Sequence, residues 1–295
     1  MLVASLGWGT AGVATRAALD QGVPPYGLAL FRAAIAAVAV TIFLVVGRRG
    51  VPRSHEAWKT GLVMGTSNLA IPFILSNIAL QYASAGFLGI MTALIPIMTA
   101  GVAHVMLPDE RLTTIKLVGL TIGFAGVAVL FLSGDSGLAE GGRPLLAGVL
   151  GLVAVLSIAF GGTYAKKFAG RYEPSEVSGI HFTSGALVIG IAMLLLEGVP
   201  GSQTGEAWAL MSYMALASTF LPFMLFYWML RHVSATYASM VGYVVPVIAV
   251  TAGVVFLDER VGVGIALGGL LILIGVVITD RVEARYARAR AGIAQ

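Results

Sequence analysis

The chain reads as an all-α, polytopic membrane protein, with ten transmembrane helices in two inverted five-helix repeats around a central cavity. Three observations predict this. Of 295 residues, 58% are hydrophobic and 11% are charged. That is less than half the charge of a soluble domain, and the mean hydropathy is +0.93. One compact core cannot hide so much apolar surface, so lipid must be the solvent. Second, a block is written twice. Ala83-Ser84-Ala85, Pro96, Asp109-Glu110-Arg111 and Gly126 recur as Val233-Ser234-Ala235, Pro246, Asp258-Glu259-Arg260 and Gly275, offset by 150 residues at the prolines and 149 at the glutamates. Duplicated apolar helices are a mark of membrane transporters, with the site at the seam of the halves. Third, the basic residues fall almost entirely in one set of connections.

Apolar stretches lie near 2–19, 27–46, 60–80, 85–107, 114–132, 145–165, 177–196, 207–229, 235–257 and 262–279. Most approach the roughly 20 residues that a bilayer core requires. Barrel strands would be half as long and would alternate polar with apolar residues. The first stretch is the weakest, with Arg16 near its end. No basic region and small-residue cleavage site precede it, so it is expected to persist as a helix. The second carries Arg32, and the seventh carries His181 at the matching place, seven residues after Pro25 and Pro174 respectively. The third and eighth are interrupted by Pro72 and Pro222, the fourth and ninth by Pro96 and Pro246. The sixth holds Ser157 and Thr163. The fifth and tenth are punctuated by Gly119, Gly123 and Gly126 and by Gly264, Gly268 and Gly275, spacings that resemble small-residue packing faces and could also mediate oligomers. The domains are accordingly 1–134, 145–280 and a basic cytoplasmic tail, 281–295, expected to fray.

Orientation follows from Lys and Arg in short loops. One set of connections holds Arg48, Arg49, Arg53, Lys59, Arg111, Lys116, Lys166, Lys167, Arg171, Arg231, Arg281, Arg285, Arg288 and Arg290; the other holds Arg143 and Arg260. Both termini are therefore expected in the cytoplasm. Five spans per half force the second copy in upside down, so Asp109-Glu110-Arg111 and Asp258-Glu259-Arg260 should lie on opposite sides. The pI near 9.5 reflects this topology rather than nucleic-acid binding. The chain has no cysteine, which excludes a disulfide frame and a thiolate metal site. No metal and no cofactor are expected.

The pattern of a mid-helix proline, an acidic turn and a Gly-punctuated helix resembles the EamA-type branch of the drug/metabolite transporter superfamily. It reads Pro96, Asp109-Glu110-Arg111, Gly119, Gly123, Gly126, and again Pro246, Asp258-Glu259-Arg260, Gly268, Gly275. Gly7-Trp8-Gly9 and Ala159-Phe160-Gly161 match more loosely. Within that superfamily the chain looks closest to bacterial exporters of amino acids, including aromatic ones. The resemblance implies ten helices in two inverted halves and a cavity lined by helices 1–4 and 6–9. It also implies a bacterial cytoplasmic (inner) membrane location.

Candidate site residues follow from polarity inside the spans. A mid-helix proline frees the carbonyl four residues earlier; here these belong to Asn68, Thr92, Ser218 and Gly242. In lipid such carbonyls need protein or a wet cavity, so they and the side chains of Asn68, Thr92 and Ser218 are candidates for a substrate's polar head, with Pro72, Pro96, Pro222 and Pro246 as hinges. The competing reading is that the prolines only bend helices for packing. Aromatic residues gather on the same helices: Trp8, Phe73, Tyr82, Phe87, Phe160, Tyr164, Phe223, Tyr227, Trp228, Tyr237 and Tyr243, of which Trp8, Phe73, Tyr82, Phe160, Tyr164, Phe223 and Tyr243 are pocket candidates. Trp58, Trp208, Tyr213 and Trp228 suit the interfacial belt. Asn77 and Ser67 add polarity to the third helix, where interhelical bonding competes with ligand binding. Arg16 and Arg32 are the cations inside spans. Arg32 could anchor a carboxylate or snorkel outward; Arg16 has Asp20 for a partner; His181 reads as a satisfied interfacial histidine.

All acids map to loops or helix ends, which disfavours a proton relay. The function expected is export of amino acids or similar small metabolites by alternating access, uncoupled, by a monomer or homodimer in the lipid bilayer. The alternatives are an exporter of multiple drugs or organic cations and, less favoured, a passive pore, for which no filter or charge ring is visible. An intramembrane enzyme would need paired acids or a His cluster at membrane depth, and none is apparent.

Overall fold

A computed structural model of the protein describes residues 2–47, 54–108, 112–138, 140–168, 174–225 and 241–293, with the backbone alone at 174–176, 242–243 and 280–293. Among the described residues the helices are α1 (Leu2–Asp20), α2 (Pro25–Val46), α3 (His55–Ala79), α4 (Ala85–Met106), α5 (Thr114–Leu132), α6 (Pro144–Phe168), α7 (Pro174–Leu196), α8 (Gly205–Leu225), α9 (Val241–Leu257) and α10 (Val263–Ile293). There are no strands among these residues. Seven helices, α2 to α8, are long and apolar enough to cross a membrane, and shorter apolar helices cover 244–257 and 263–279.

Local chemistry sets the helix starts. Ser84 caps α4 by accepting from the Phe87 amide at 3.0 Å, and Thr204 caps α8 through Ala207 at 3.1 Å. Ser54 and Thr113 do the same for α3 and α5. Prolines open α2, α6 and α7, where the missing N–H is no loss. Inside the spans, prolines act differently. Gly65–Ala70 of α3 and Leu216–Phe220 of α8 are π-helical, each one residue short of Pro72 or Pro222. The wider turn accommodates the pyrrolidine ring against the preceding carbonyl. Before Pro96, α4 tightens instead: Ala93 and Leu94 donate to Ile90 and Met91, three residues back. Pro246 is accommodated within α9.

The helices pack in reciprocal fashion. α2 lies against α7 and α4 against α9; α1 packs on α8 and α9 as α6 packs on α3 and α4; α5 pairs with α10. The glycine faces meet each other. A Cβ on Gly126 would sit 2.6 Å from the Gly268 carbonyl, and one on Gly119 would sit 2.7 Å from the Gly275 carbonyl. The small-residue faces of α5 and α10 are thus consumed within the chain. Phe87, Leu94 and Ile97 of α4 are fully buried among α6, α9 and α10, so Phe87 belongs to the core and not to a pocket. Val45, Val46, Leu132, Leu195 and Phe256 point outward, as lipid-facing side chains should.

Beyond 280, where the polar tail is expected to fray, α10 continues as helix to Ile293. The Ala- and Arg-rich run has high intrinsic helix propensity, which outweighs its polarity. The first acidic turn, Asp109-Glu110-Arg111, and the second-copy residues Val233-Ser234-Ala235 lie outside the described residues, as do Tyr227, Trp228 and Tyr237.

Candidate functional site

α2 and α7 run antiparallel, since Glu197, after the end of α7, accepts from the Tyr26 and Gly27 amides at the start of α2, at 3.1 and 2.7 Å. Arg32 and His181 each lie seven residues into their helix. With Gly190 packed on Leu30 and Gly179 on Leu44, the two positions are offset by roughly seven to ten residues, or about 11–15 Å along the axis.

Arg32 does not snorkel. Its Nε donates to Thr219 Oγ1 at 2.7 Å and its Nη2 to the Ser218 carbonyl at 3.3 Å. The guanidinium carbon lies 4.1 Å from the centroid of Phe73, a cation–π contact. Ser218 is the residue whose carbonyl Pro222 frees. That carbonyl, expected to await a substrate, is taken by Arg32, so the proline's consequence is to hold an arginine. The guanidinium has five N–H donors. Two are used by described partners, and the plane is fixed by Phe73. The remaining edge is oriented and suited to a carboxylate.

His181 requires a correction. It is fully buried, with no hydrogen-bond partner for either ring nitrogen among the described residues. It packs on Phe182 at 4.9 Å and Phe223 at 6.3 Å between centroids. An interfacial histidine would keep water; here the aromatic rings of α7 and α8 enclose it. Phe223 also meets Phe182 at 5.6 Å and the edge of Trp8 at 5.5 Å. The result is a column on α2, α3, α7 and α8: Arg32 over Phe73 at one end, Phe223 and Phe182 between, His181 at the other, with Trp8 of α1 on the flank. Of the residues singled out in the sequence, the structure brings Trp8, Arg32, Phe73, Ser218 and Phe223 together here.

Others stand elsewhere. Asn77 commits its Nδ2 to the Pro25 carbonyl at 2.9 Å, tying α3 to the start of α2. Tyr82 lies in the α3–α4 connection under Arg143. Thr92 bonds back to the Gly89 carbonyl at 2.7 Å. Asn68 packs in the π-helical turn, on the side where α6 presents Gly161. Phe160 is 43% exposed and stacks loosely on Tyr164, whose buried hydroxyl has no described partner. The side chain of Tyr243 lies outside the described residues. Arg16 pairs with Asp20 at 3.1 Å and with the Leu80 carbonyl, a helix-end tie. Trp58 and Trp208 are partly exposed near helix ends, whereas Tyr213, expected in the interfacial belt, stands mid-way along α8 with its hydroxyl 2.7 Å from Thr10 Oγ1 of α1. His181 is the residue that sequence reasoning undervalued; its match in position to Arg32 was the available signal. No cluster of metal-ligating side chains occurs among the described residues.

A polytopic helical fold with a half-buried arginine bonded between its helices fits a membrane transporter. The chain is a member of the EamA-like transporter family, which matches residues 1–132 and 145–279. It is similar to the uncharacterized transporter YoaV of Bacillus subtilis (strain 168), 28% identical over 91% of each chain. It is also similar to an uncharacterized transporter of Archaeoglobus fulgidus, 26% identical over 93% of this chain and 95% of the relative. Protein PecM of Dickeya dadantii (strain 3937) is 25% identical over 94% and 89%. A protein of known crystal structure, 19% identical, aligns with a TM-score of 0.66 over 95% of this chain and 96% of its own; it shares the fold.

Proposed function

We propose that this transporter exports amino acids or similar small carboxylates by alternating access, without ion coupling. The observation that carries the reading is Arg32: a half-buried cation on α2 held against α8, oriented by Thr219, Ser218 and Phe73. Burying a charge there is costly unless it is compensated, and its oriented free edge suits a carboxylate. The rings of Phe73, Phe223 and Phe182, which stand between Arg32 and His181, would pack against an apolar or aromatic side chain. The imidazole nitrogens would serve a polar group on the substrate's side chain. An organic cation would meet the charge of Arg32, which disfavours the multidrug reading.

The two family matches and the reciprocal packing of α1 with α8 and α9, and of α6 with α3 and α4, support two inverted five-helix halves, 1–134 and 145–280. Ten crossings, cytoplasmic termini and a bacterial inner-membrane location complete the reading. The glycine faces of α5 and α10 are occupied by each other, which favours a monomer over a homodimer. The test is uptake of labelled aromatic amino acids into proteoliposomes, with the corresponding decarboxylated amines as competitors. Amino acids should compete and amines should not, with or without a pH gradient. Equal competition by amines removes Arg32 as anchor, and dependence on the gradient removes the uncoupled mechanism.

A further inference from the structure

We infer that Glu259 is a latch that holds one face of the transporter shut, with Glu197 as a second latch beside it. The inference goes beyond the proposed substrate but rests on the alternating-access reading. Glu259 follows the end of α9. Its carboxylate accepts from the Ala85 amide at 2.6 Å and the Gly86 amide at 3.0 Å, the first N–H groups of α4. These amides have no partner inside their helix, and the positive end of the helix dipole favours an anion there. The bonds are charge-assisted, and they join residues 173 and 174 positions apart.

The socket is shaped for that carboxylate. Asp258 takes a left-handed backbone (φ 51°), uncommon for a non-glycine residue but tolerated by Asp. This bend turns Glu259 back so that its amide donates to the Gly253 carbonyl at 3.2 Å. A Cβ on Gly253 would overlap the Glu259 carboxylate, so only glycine leaves room. Arg260 then donates its amide to the Gly137 carbonyl at 3.1 Å, pinning the turn from the other side. Below the latch, α9 is wedged between neighbours. Val250 lies on Gly86 and Ala249 on Gly89 of α4, while Ile248 meets Gly9 of α1. This end of α9 cannot swing out from between α1 and α4 while Glu259 stays seated.

Glu197 repeats the arrangement between α7 and the first amides of α2. Thr204 Oγ1, bonded to Gln21 Oε1 at 2.9 Å, adds a third tie on the same face. The bonds of the Glu259 and Glu197 carboxylates and of Thr204 Oγ1 join residues of the first half to residues of the second. At an offset of 149, Glu110 stands in the first copy where Glu259 stands in the second, but Arg48 stands where Glu197 does. One latch is therefore written in both copies and the other in one.

The chain has no cysteine, so Val250→Cys provides a single thiol beneath the latch. Labelling with a membrane-impermeant maleimide from this face should be slow in Val250→Cys. It should rise about tenfold when Glu259→Gln or Gly253→Ala is added, the scale expected from losing one hydrogen bond to a charged group. A cooperative thermal melt for each variant shows that it is folded. The same variants should transport more slowly, because this face no longer reseals. Unchanged labelling in both folded variants overturns the inference, as does raised labelling with unchanged flux. Should neither variant fold, Glu259→Asp keeps the charge and shortens its reach, and must give an intermediate rise; no rise overturns the latch. Labelling requires no substrate, so an error in the substrate class leaves this result intact.

Discussion

Replacing Arg32 by glutamine removes the guanidinium charge and keeps a polar amide that reaches as far as the Nε position. In the structure Arg32 makes two hydrogen bonds, to Thr219 and Ser218, and one face contact with Phe73. Glutamine can replace one of the bonds and not the cation–π contact, worth about 0.5–2 kcal/mol. The two lost contacts together are worth about 2–5 kcal/mol of folding stability, offset in part because the charge no longer has to be kept inside a span. A separate loss falls on substrate binding. A charged hydrogen bond to a carboxylate contributes about 1.5–3 kcal/mol, or roughly ten- to hundredfold in affinity. Flux of labelled amino acid into proteoliposomes should thus show KM raised by about that factor with a smaller change in maximal rate. Arg32→Lys should not restore it, since one ammonium cannot lie flat on Phe73 and serve Thr219, Ser218 and a carboxylate together. If Arg32→Gln leaves KM unchanged while its melting temperature falls, Arg32 is a structural tie between α2 and α8, and the site lies elsewhere.

His181→Leu removes a buried imidazole whose nitrogens have no described partner. Its melting temperature should hold or rise, because an unsatisfied buried polar group costs about 1–3 kcal/mol, while flux falls about tenfold, a trade-off common at functional sites. A variant with lower stability and full flux would make His181 a packing residue. Asn77→Leu loses the bond to the Pro25 carbonyl and should cost about 1 kcal/mol of stability with KM unchanged; a raised KM would place it in the site. Gly126→Val forces side-chain atoms into the Gly268 carbonyl. It should destabilise by about 1–3 kcal/mol or more, read as a lower melting temperature in detergent, and an unaltered melt would mean that α5 and α10 are not in contact there.

The frame of the protein was legible because its determinants are local. Ser84, Thr204 and the prolines at helix starts mark where α4, α8, α2, α6 and α7 begin, and the glycine spacing of α5 and α10 announced a close helix contact. The site was legible only in part. Trp8, Arg32, Phe73, Ser218 and Phe223 were singled out as separate residues, and the fold assembled them. What the sequence hid was the identity of each partner. The carbonyl freed by Pro222 was visible, but its acceptance of Arg32 depends on α2 crossing α8. Asn77 looked like a ligand group until the Pro25 carbonyl came beside it. Glu197 and Glu259 read as loop acids because the amides they hold lie about 170 residues away. The π-helical turns have no signature beyond the proline that follows them, since the same residue can also be met by a tightened turn, as before Pro96.

The central claim is that the two halves enter the membrane in opposite directions around one chamber. Glu259 sits on the first amides of α4, whereas residues 109–111 follow the last turn of that helix, which at 22 residues is about 33 Å long. Single cysteines at Asp109 and Asp258 in this cysteine-free chain, labelled in oriented membranes with an impermeant maleimide, report on this directly. The account predicts modification of the two from opposite sides; modification of both from one side contradicts it.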